Sequence, residues 1–157
     1  MNSRFAALAV MLASLILLVG WLAGRTGSDI LPAESYLAVG TDFQTRFQAQ
    51  TAAFGTGQSV EAAPIVRPPP GDVYMRARRW EFSPALELQP GQTYRLHLLS
   101  EDVVHSAAIG DAEVLLEPGT VKVVTLAALK TGRIRIQCGE YCGLSHTKMI
   151  GSIDVLP

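Results

Sequence analysis

Cysteine is scarce in this chain, which has 157 residues and only two cysteines. Both lie in one motif near the C-terminus, at Cys138 and Cys142. A small domain stapled by disulfides uses more cysteines and spreads them along the chain, so we expect these two thiols to serve chemistry. Charge is also low and balanced, with a net charge of −1. Nucleic acid and anionic membrane surfaces are therefore not expected as partners.

Charged residues are absent from Phe5 to Gly24, and almost every residue of this stretch is apolar. A helix of about 20 residues spans about 30 Å, the thickness of the hydrocarbon core of a bilayer. The apolar run exceeds that of a signal peptide, and no small-residue cleavage site follows it. Trp21 near its outer end fits an interfacial anchor. We therefore predict a retained single-pass transmembrane anchor over residues 1–25.

Residues 26–71 carry the weakest pattern, and we predict a linker that is helical in part. Within it, Glu34–Phe54 has Phe43 and Phe47 four positions apart, on one face of a helix. An ordinary spacer is the favoured interpretation, and a surface that lies against a partner subunit is the alternative. The prolines and glycine of Pro68–Gly71 mark the boundary of the next domain.

Short β-type runs separated by turns make up residues 72–157. Thr93–Leu99 alternates clearly, which places His97 on the face opposite the apolar residues and predicts that it faces solvent. Strands are predicted at 72–82, 86–88, 93–99, 113–116, 121–126, 132–137 and 151–156. Short strands at even spacing predict an all-β domain, a Greek-key β-sandwich whose loops meet at one end.

Two thiols, an imidazole and a thioether lie within Cys138–Met149. These ligand types together suit copper in both of its redox states. A mononuclear blue-copper centre needs one cysteine, whereas two thiolates on one loop can bridge two copper ions, each capped by one histidine. His146 lies in the loop and His105 lies upstream. We therefore take a binuclear copper centre as the working hypothesis.

Three other interpretations of the motif stay open. The two cysteines could form a disulfide in an exported domain. A zinc site of two cysteines and two histidines satisfies the ligand count, but it leaves Met149 unexplained. A copper chaperone with the same cysteine spacing would carry its histidine after the cysteines, whereas His105 precedes them.

The motif C-x-E-x-C-x3-H-x2-M, with S-x-D-V-x-H-S upstream of it, resembles the CuA site of cytochrome c oxidase subunit II. The resemblance extends from about Val73 to the end of the chain, and it implies a cupredoxin-like sandwich. It also implies six copper ligands: the bridging thiolates of Cys138 and Cys142, the capping imidazoles of His105 and His146, the axial thioether of Met149 and the backbone carbonyl of Glu140. In that family the glutamate side chain can also reach a magnesium ion at the contact with the catalytic subunit.

The resemblance further implies a role in a respiratory membrane. The domain would lie outside the cytoplasm of a prokaryotic cell, accept electrons from cytochrome c or a similar small carrier, and pass them to haem in catalytic subunit I. Trp80 would be the candidate for electron entry, and Phe82 a core residue. The family usually has two anchor helices, whereas this chain shows one. The same site in a nitric oxide reductase-type complex, or a membrane-anchored copper-delivery protein, is the alternative.

Overall fold

The computed structural model describes residues 3–24, 30–38 and 42–157. This part of the chain contains two α-helices, α1 (Ser3–Gly24) and α2 (Asp42–Phe54). Its strands are β1 (Ile30–Leu37), β2 (Gly55–Val60), β3 (Ala63–Val66), β4 (Gly71–Arg78), β5 (Glu81–Ser83), β6 (Ala85–Leu88), β7 (Thr93–Ser100), β8 (His105–Ile109), β9 (Ala112–Leu116), β10 (Thr120–Ala127), β11 (Gly132–Gln137) and β12 (Ile150–Val155).

The strands of the described residues form two sheets, ordered β1-β10-β7-β4-β5 and β2-β3-β6-β12-β11-β8-β9. Alternate residues of both sheets point into one apolar core, as in Leu96 and Leu98 of β7 and Ile136 of β11. Burying each such side chain contributes about 1.5–3 kcal/mol. The predicted β-sandwich is therefore confirmed, and Phe82 lies in its core, 1% exposed.

Residues 26–71 differ from the linker expected from the sequence. Strand β1 pairs antiparallel with β10, β2 and β3 form a hairpin, and β3 continues the second sheet by pairing parallel with β6. These strands are added to the sheets by backbone hydrogen bonds, which almost any residue type can make. Their sequences therefore show little of the apolar alternation that predicts a strand. Residues 26–29 and 39–41 lie outside the described residues.

The predicted helix over Glu34–Phe54 is only partly correct, because its first residues belong to β1 and helix α2 begins at Asp42. Phe43 and Phe47 are buried, as their spacing predicts. The Gln50 side chain accepts a hydrogen bond from the Tyr74 amide at 2.8 Å and donates one to the Tyr74 carbonyl at 3.0 Å. Helix α2 is therefore fastened to the outer face of β4 and is not a spacer.

His97 does not face solvent, so the prediction for this residue is wrong. The residue is 6% exposed, because the side chains of Tyr74 on β4 and Tyr36 on β1 lie against the imidazole on the outer face of the first sheet. Tyr36 Oη lies 2.9 Å from His97 Nδ1, and Asp72 Oδ1 lies 3.0 Å from Nε2. The Tyr74 ring stacks on the imidazole with centroids 4.7 Å apart. Both ring nitrogens are thus engaged away from the cysteine motif.

Helix α1 is the one helix among the described residues that is long and apolar enough to cross a membrane, over Arg4–Ala23. Its described side chains are exposed and almost all apolar, as expected of a helix whose surface contacts lipid. Length and composition therefore agree with the predicted anchor. Residues 1, 2 and 25 of that anchor lie outside the described residues.

Candidate metal centre

The predicted ligands come from two neighbouring strands of the second sheet. His105 is the first residue of β8, and Cys138 follows directly after β11. Strands β8 and β11 pair antiparallel, with Gln137 opposite Ala108. This register carries His105 alongside the loop that leaves β11. The loop runs over residues 138–149 (the ligand loop) and returns through a turn of 3-10 helix at His146–Lys148 to β12.

The two sulfurs lie within contact distance of each other, and each has one imidazole within contact distance. Cys138 Sγ and Cys142 Sγ are 3.8 Å apart, far longer than the ~2.05 Å of a disulfide bond. His105 Nδ1 lies 3.7 Å from Cys138 Sγ, and His146 Nδ1 lies 3.7 Å from Cys142 Sγ. Each imidazole therefore contacts a different sulfur. The disulfide alternative does not describe this structure, in which both cysteines are free and buried.

Two weaker donors complete the group, again one beside each sulfur. The Glu140 carbonyl oxygen lies 3.1 Å from Cys138 Sγ. Met149 Sδ lies 3.7 Å from Cys142 Sγ, and the Met149 side chain is fully buried. The structure thus brings the six predicted donors together, with four of them around the pair of cysteine sulfurs.

The donors fit a soft metal. His105, Cys138 and Cys142 have their donor atoms within 4.8 Å of one another. Metal–thiolate bonds of about 2.3 Å reach two sulfurs at the separation seen here from one point between them. Thiolate, imidazole and thioether are the set that copper prefers. Zinc would use four of these groups, and it would leave a buried thioether and a carbonyl directed at the same sulfurs without a role.

Asp102 orients the first imidazole. Its Oδ1 accepts a hydrogen bond from His105 Nε2 at 2.8 Å, which leaves Nδ1 with a lone pair toward Cys138. The carboxylate also accepts bonds from the Val103 amide and from the amide and side chain of Arg79. Burial opposes ionisation of the carboxylate, but these hydrogen bonds outweigh burial. The pKa of Asp102 consequently lies well below its usual range.

Burial, together with a hydrogen bond to Cys138 and the charge of that thiol, raises the pKa of the Cys142 thiol to about 11. The thiol is therefore protonated at neutral pH when no metal is bound. Because a metal binds the thiolate, metal uptake at this site must release a proton.

The ligand loop exposes two large apolar side chains beside its charged residues Glu140 and Lys148. Tyr141 is 73% exposed and Leu144 is 94% exposed, and the Tyr141 ring lies 5.9 Å from the His146 ring. Trp80 covers the loop from the side, since a methyl group added at Gly143 would lie 3.3 Å from Trp80 Nε1. Gly143 has φ = 122°, a conformation that side chains disfavour. The predicted entry residue is thus in contact with the loop.

Three residues of the site were not assigned from the sequence. Asp102 and Ser106 belong to the quoted S-x-D-V-x-H-S segment, so their proximity to His105 was a usable signal. Glu113 had no signal, because it reaches the ligand loop only through the pairing of β8 with β9.

The fold and the donor cluster define a cupredoxin-like domain with a soft-metal site. A family model described as "Cytochrome C oxidase subunit II, periplasmic domain" matches residues 77–156, which is half of the chain. The chain belongs to the cytochrome c oxidase subunit II family.

Individual relatives agree with this family. A protein of Thermus thermophilus named cytochrome c oxidase subunit 2 is 33% identical over 86 residues, covering 53% of this chain and 64% of the relative. A second relative with that name and species is matched over 51% of its length. The chain thus spans about half to two thirds of the curated relatives that it matches.

Two solved structures share the fold. A cryo-EM structure of a heme-copper terminal oxidase dimer aligns with a TM-score of 0.56 at 21% identity, covering 98% of this chain and 99% of the matched chain. Rusticyanin from Thiobacillus ferrooxidans aligns with a TM-score of 0.52 at 15% identity, covering 78% of this chain and 96% of the other. The alignment with the oxidase chain includes nearly all of the sequence and not only the β-sandwich.

Proposed function

We propose that this chain is the electron-entry subunit of a haem-copper terminal oxidase. It would accept electrons from cytochrome c, or a similar small carrier, at a binuclear copper centre. It would then pass them to haem in catalytic subunit I. The observation that carries this proposal is the paired arrangement of donors, in which each of two sulfurs 3.8 Å apart has its own imidazole at 3.7 Å.

The proposal assigns a role to each donor. Cys138 and Cys142 would bridge the metal ions, and His105 and His146 would cap one ion each. Met149 and the Glu140 carbonyl would be the weak ligands. Two copper ions bound in this way supply a one-electron acceptor whose coordination changes little on reduction, because the electron is shared. The Glu140 side chain is exposed, so it is also available for a magnesium ion at the contact with the catalytic subunit.

The surrounding residues hold the donors in place and keep water out. Cys138, Cys142 and Met149 are part of the buried apolar core. The Cys138 amide donates to the Met149 carbonyl at 3.2 Å, which joins the two ends of the ligand loop. A site that is rigid before the electron arrives needs little reorganisation, which favours rapid transfer.

The exposed apolar side chains of the ligand loop support a transient electron donor. Leu144 and Tyr141 are exposed beside His146, and Trp80 lies against Gly143. A brief redox encounter buries less than about 1,200 Å² and does not need strong charge steering. We propose that the carrier docks over this surface and that Trp80 is the electron entry. Helix α1 would hold the domain on the extracytoplasmic side of a prokaryotic plasma membrane.

The test is rapid mixing of the copper-loaded full chain with reduced cytochrome c, following oxidation of the haem. We expect one haem oxidised per copper centre and saturation with chain concentration. Cys142→Ser should abolish the reaction and the visible absorption of the copper–thiolate centre, whereas Leu144→Ala should slow the encounter and leave the absorption spectrum unchanged. A wild-type chain that holds copper but oxidises neither cytochrome c nor another small carrier would instead support the copper-delivery alternative.

A further inference from the structure

A short polar chain joins the β8–β9 hairpin to the ligand loop. The Gly139 amide donates a hydrogen bond to Ser106 Oγ at 2.8 Å, and Ser106 Oγ donates one to Glu113 Oε1 at 2.6 Å. Ser106 is only 3% exposed. In the hairpin, Ala108 pairs with Glu113, so Ser106 and Glu113 are diagonal neighbours on one face of the sheet. Two strands thus supply a fixed anchor for one amide.

The anchor is fitted closely to the glycine. A methyl group added at Gly139 would lie 2.1 Å from Glu113 Oε1 and 2.8 Å from Ser106 Oγ. Both distances are shorter than a carbon atom tolerates, so the carboxylate and the hydroxyl occupy the space that a side chain at position 139 would take. A side chain at position 139 would have to displace the exposed Glu113 carboxylate and the buried Ser106 hydroxyl, which breaks the hydrogen bonds between them and the loop.

The anchored amide lies between two of the donors. Gly139 separates Cys138 from Glu140, whose carbonyl oxygen lies 3.1 Å from Cys138 Sγ. Rotation of the backbone at Gly139 would turn that carbonyl away from the sulfur. On the proposed function given above, we propose that Ser106 and Glu113 are positioning residues, which hold the Glu140 carbonyl on the metal and set the reduction potential of the centre.

The two residues act in separable ways. Ser106 supplies geometry, because its hydroxyl is the acceptor for the Gly139 amide. Glu113 is exposed at the surface, and the hydrogen bond from Ser106 holds its negative charge beside the loop. A nearby negative charge favours the more positive, oxidised state of the metal and so lowers its reduction potential. Glutamine at position 113 keeps an acceptor oxygen and removes the charge.

The experiment compares four variants of the full chain in detergent. Ser106→Ala removes the anchor, Ser106→Thr keeps a hydroxyl, and Glu113→Gln removes the charge. Glu87→Gln is the matched control, since Glu87 pairs with Arg67 near the end of β6, beside the C-terminal end of β12 and away from the ligand loop. Three quantities are measured: copper affinity by chelator competition, reduction potential, and hydrogen exchange of the Gly139 amide in the metal-free chain.

Ser106→Ala should weaken copper binding about 10–100-fold, the usual loss for an outer-shell partner, and should speed exchange of the Gly139 amide. Ser106→Thr should keep the copper affinity and the exchange rate of the Gly139 amide close to those of the wild-type chain. Glu113→Gln should raise the reduction potential with little change in the absorption spectrum, and Glu87→Gln should change none of the three quantities.

The proposal is overturned if Ser106→Ala keeps wild-type exchange and affinity, or if Glu113→Gln has the same potential as Glu87→Gln. The exchange measurement needs no metal, so it decides the anchoring even if the wild-type chain binds no copper. A wild-type chain that binds no copper would overturn the proposed function, but it would leave the role of Ser106 in holding the Gly139 amide standing. Circular dichroism of each variant shows whether it is folded, and Glu113→Gln tests the charge if Ser106→Ala does not fold.

Discussion

Met149→Leu tests the division of the donors into strong and weak ligands. Met149 is fully buried, and its sulfur lies 3.7 Å from Cys142 Sγ. Leucine has nearly the same volume, so the packing cost to the free energy of unfolding should stay below about 1.5 kcal/mol. Losing a weak axial ligand without a replacement should reduce copper affinity by less than tenfold, which is a loss of binding free energy below about 1.4 kcal/mol. Because one donor to the oxidised state is lost, the reduction potential should rise.

Met75→Leu is the matched control for this prediction. Met75 is also fully buried in the same core, on β4, and it is not among the metal donors. Urea denaturation of the metal-free chains gives the packing cost of each change. Chelator competition gives the copper affinity, and redox titration gives the reduction potential. Met75→Leu should lose comparable stability and keep the wild-type potential. If Met149→Leu loses all copper while Met75→Leu keeps it, Met149 is a strong ligand and the assignment is wrong.

Three further changes are predicted, two of them beside the proposed donors and one at Asp72, which pairs with His97 away from them. Asp102→Asn should weaken copper binding about 10–100-fold in a chelator titration, because an amide orients the imidazole less firmly; wild-type affinity would contradict that role. Gly143→Ala should cost about 1–3 kcal/mol of unfolding free energy and crowd Trp80. Gly71→Ala is its control, because Gly71 has nearly the same φ, 121° against 122°, and no neighbour within 4 Å, so it carries the backbone strain alone; equal losses would exclude the contact with Trp80. A hydrogen bond from its histidine partner lowers the pKa of Asp72 although burial opposes this, so its contribution to stability is present above the ordinary value near 3.8 and is lost as pH falls through the lower folded value. Asp72→Asn should flatten that acid dependence in urea titrations, and an unchanged slope would refute the contribution.

The β-sandwich could be predicted because half-buried strands alternate along the sequence. Thr93–Leu99 and Val121–Leu126 show this pattern, and both are strands in the structure. Strand β8 carried no such signal, since His105 and Ser106 are buried polar residues at its start. Their burial is explained by partners from other elements, which a local pattern does not contain.

The segment over residues 30–38 and 42–66 differs most from the sequence prediction, because its structure depends on tertiary contacts. Strand β1 extends the first sheet at its edge by pairing with β10, and helix α2 packs on the outer face of that sheet. Tyr36 contacts His97 there, and Gln50 binds the backbone of Tyr74. These contacts join residues far apart in the sequence, so composition alone suggested a spacer. The Tyr36 and Tyr74 side chains on this face explain why His97 is buried, although the alternation of the sequence assigned that face to solvent.

The donor set could be named from the sequence because its members are few and of unusual type. The spacing of Cys138, Cys142, His146 and Met149 limits them to one short loop, and the only distant member is His105. The outer residues required the structure, because Glu113 approaches Gly139 through strand pairing. The sequence alone does not explain why position 139 is a glycine, whereas the structure shows the Glu113 carboxylate in the space that a side chain would take.

The proposed function depends on two sulfurs that are shared between two copper ions. Metal analysis of the copper-loaded full chain, combined with its electron paramagnetic resonance spectrum, tests this arrangement. We expect two coppers per chain and a hyperfine pattern in which one unpaired electron couples equally to both copper nuclei. One copper per chain, with hyperfine coupling to a single nucleus, would contradict it.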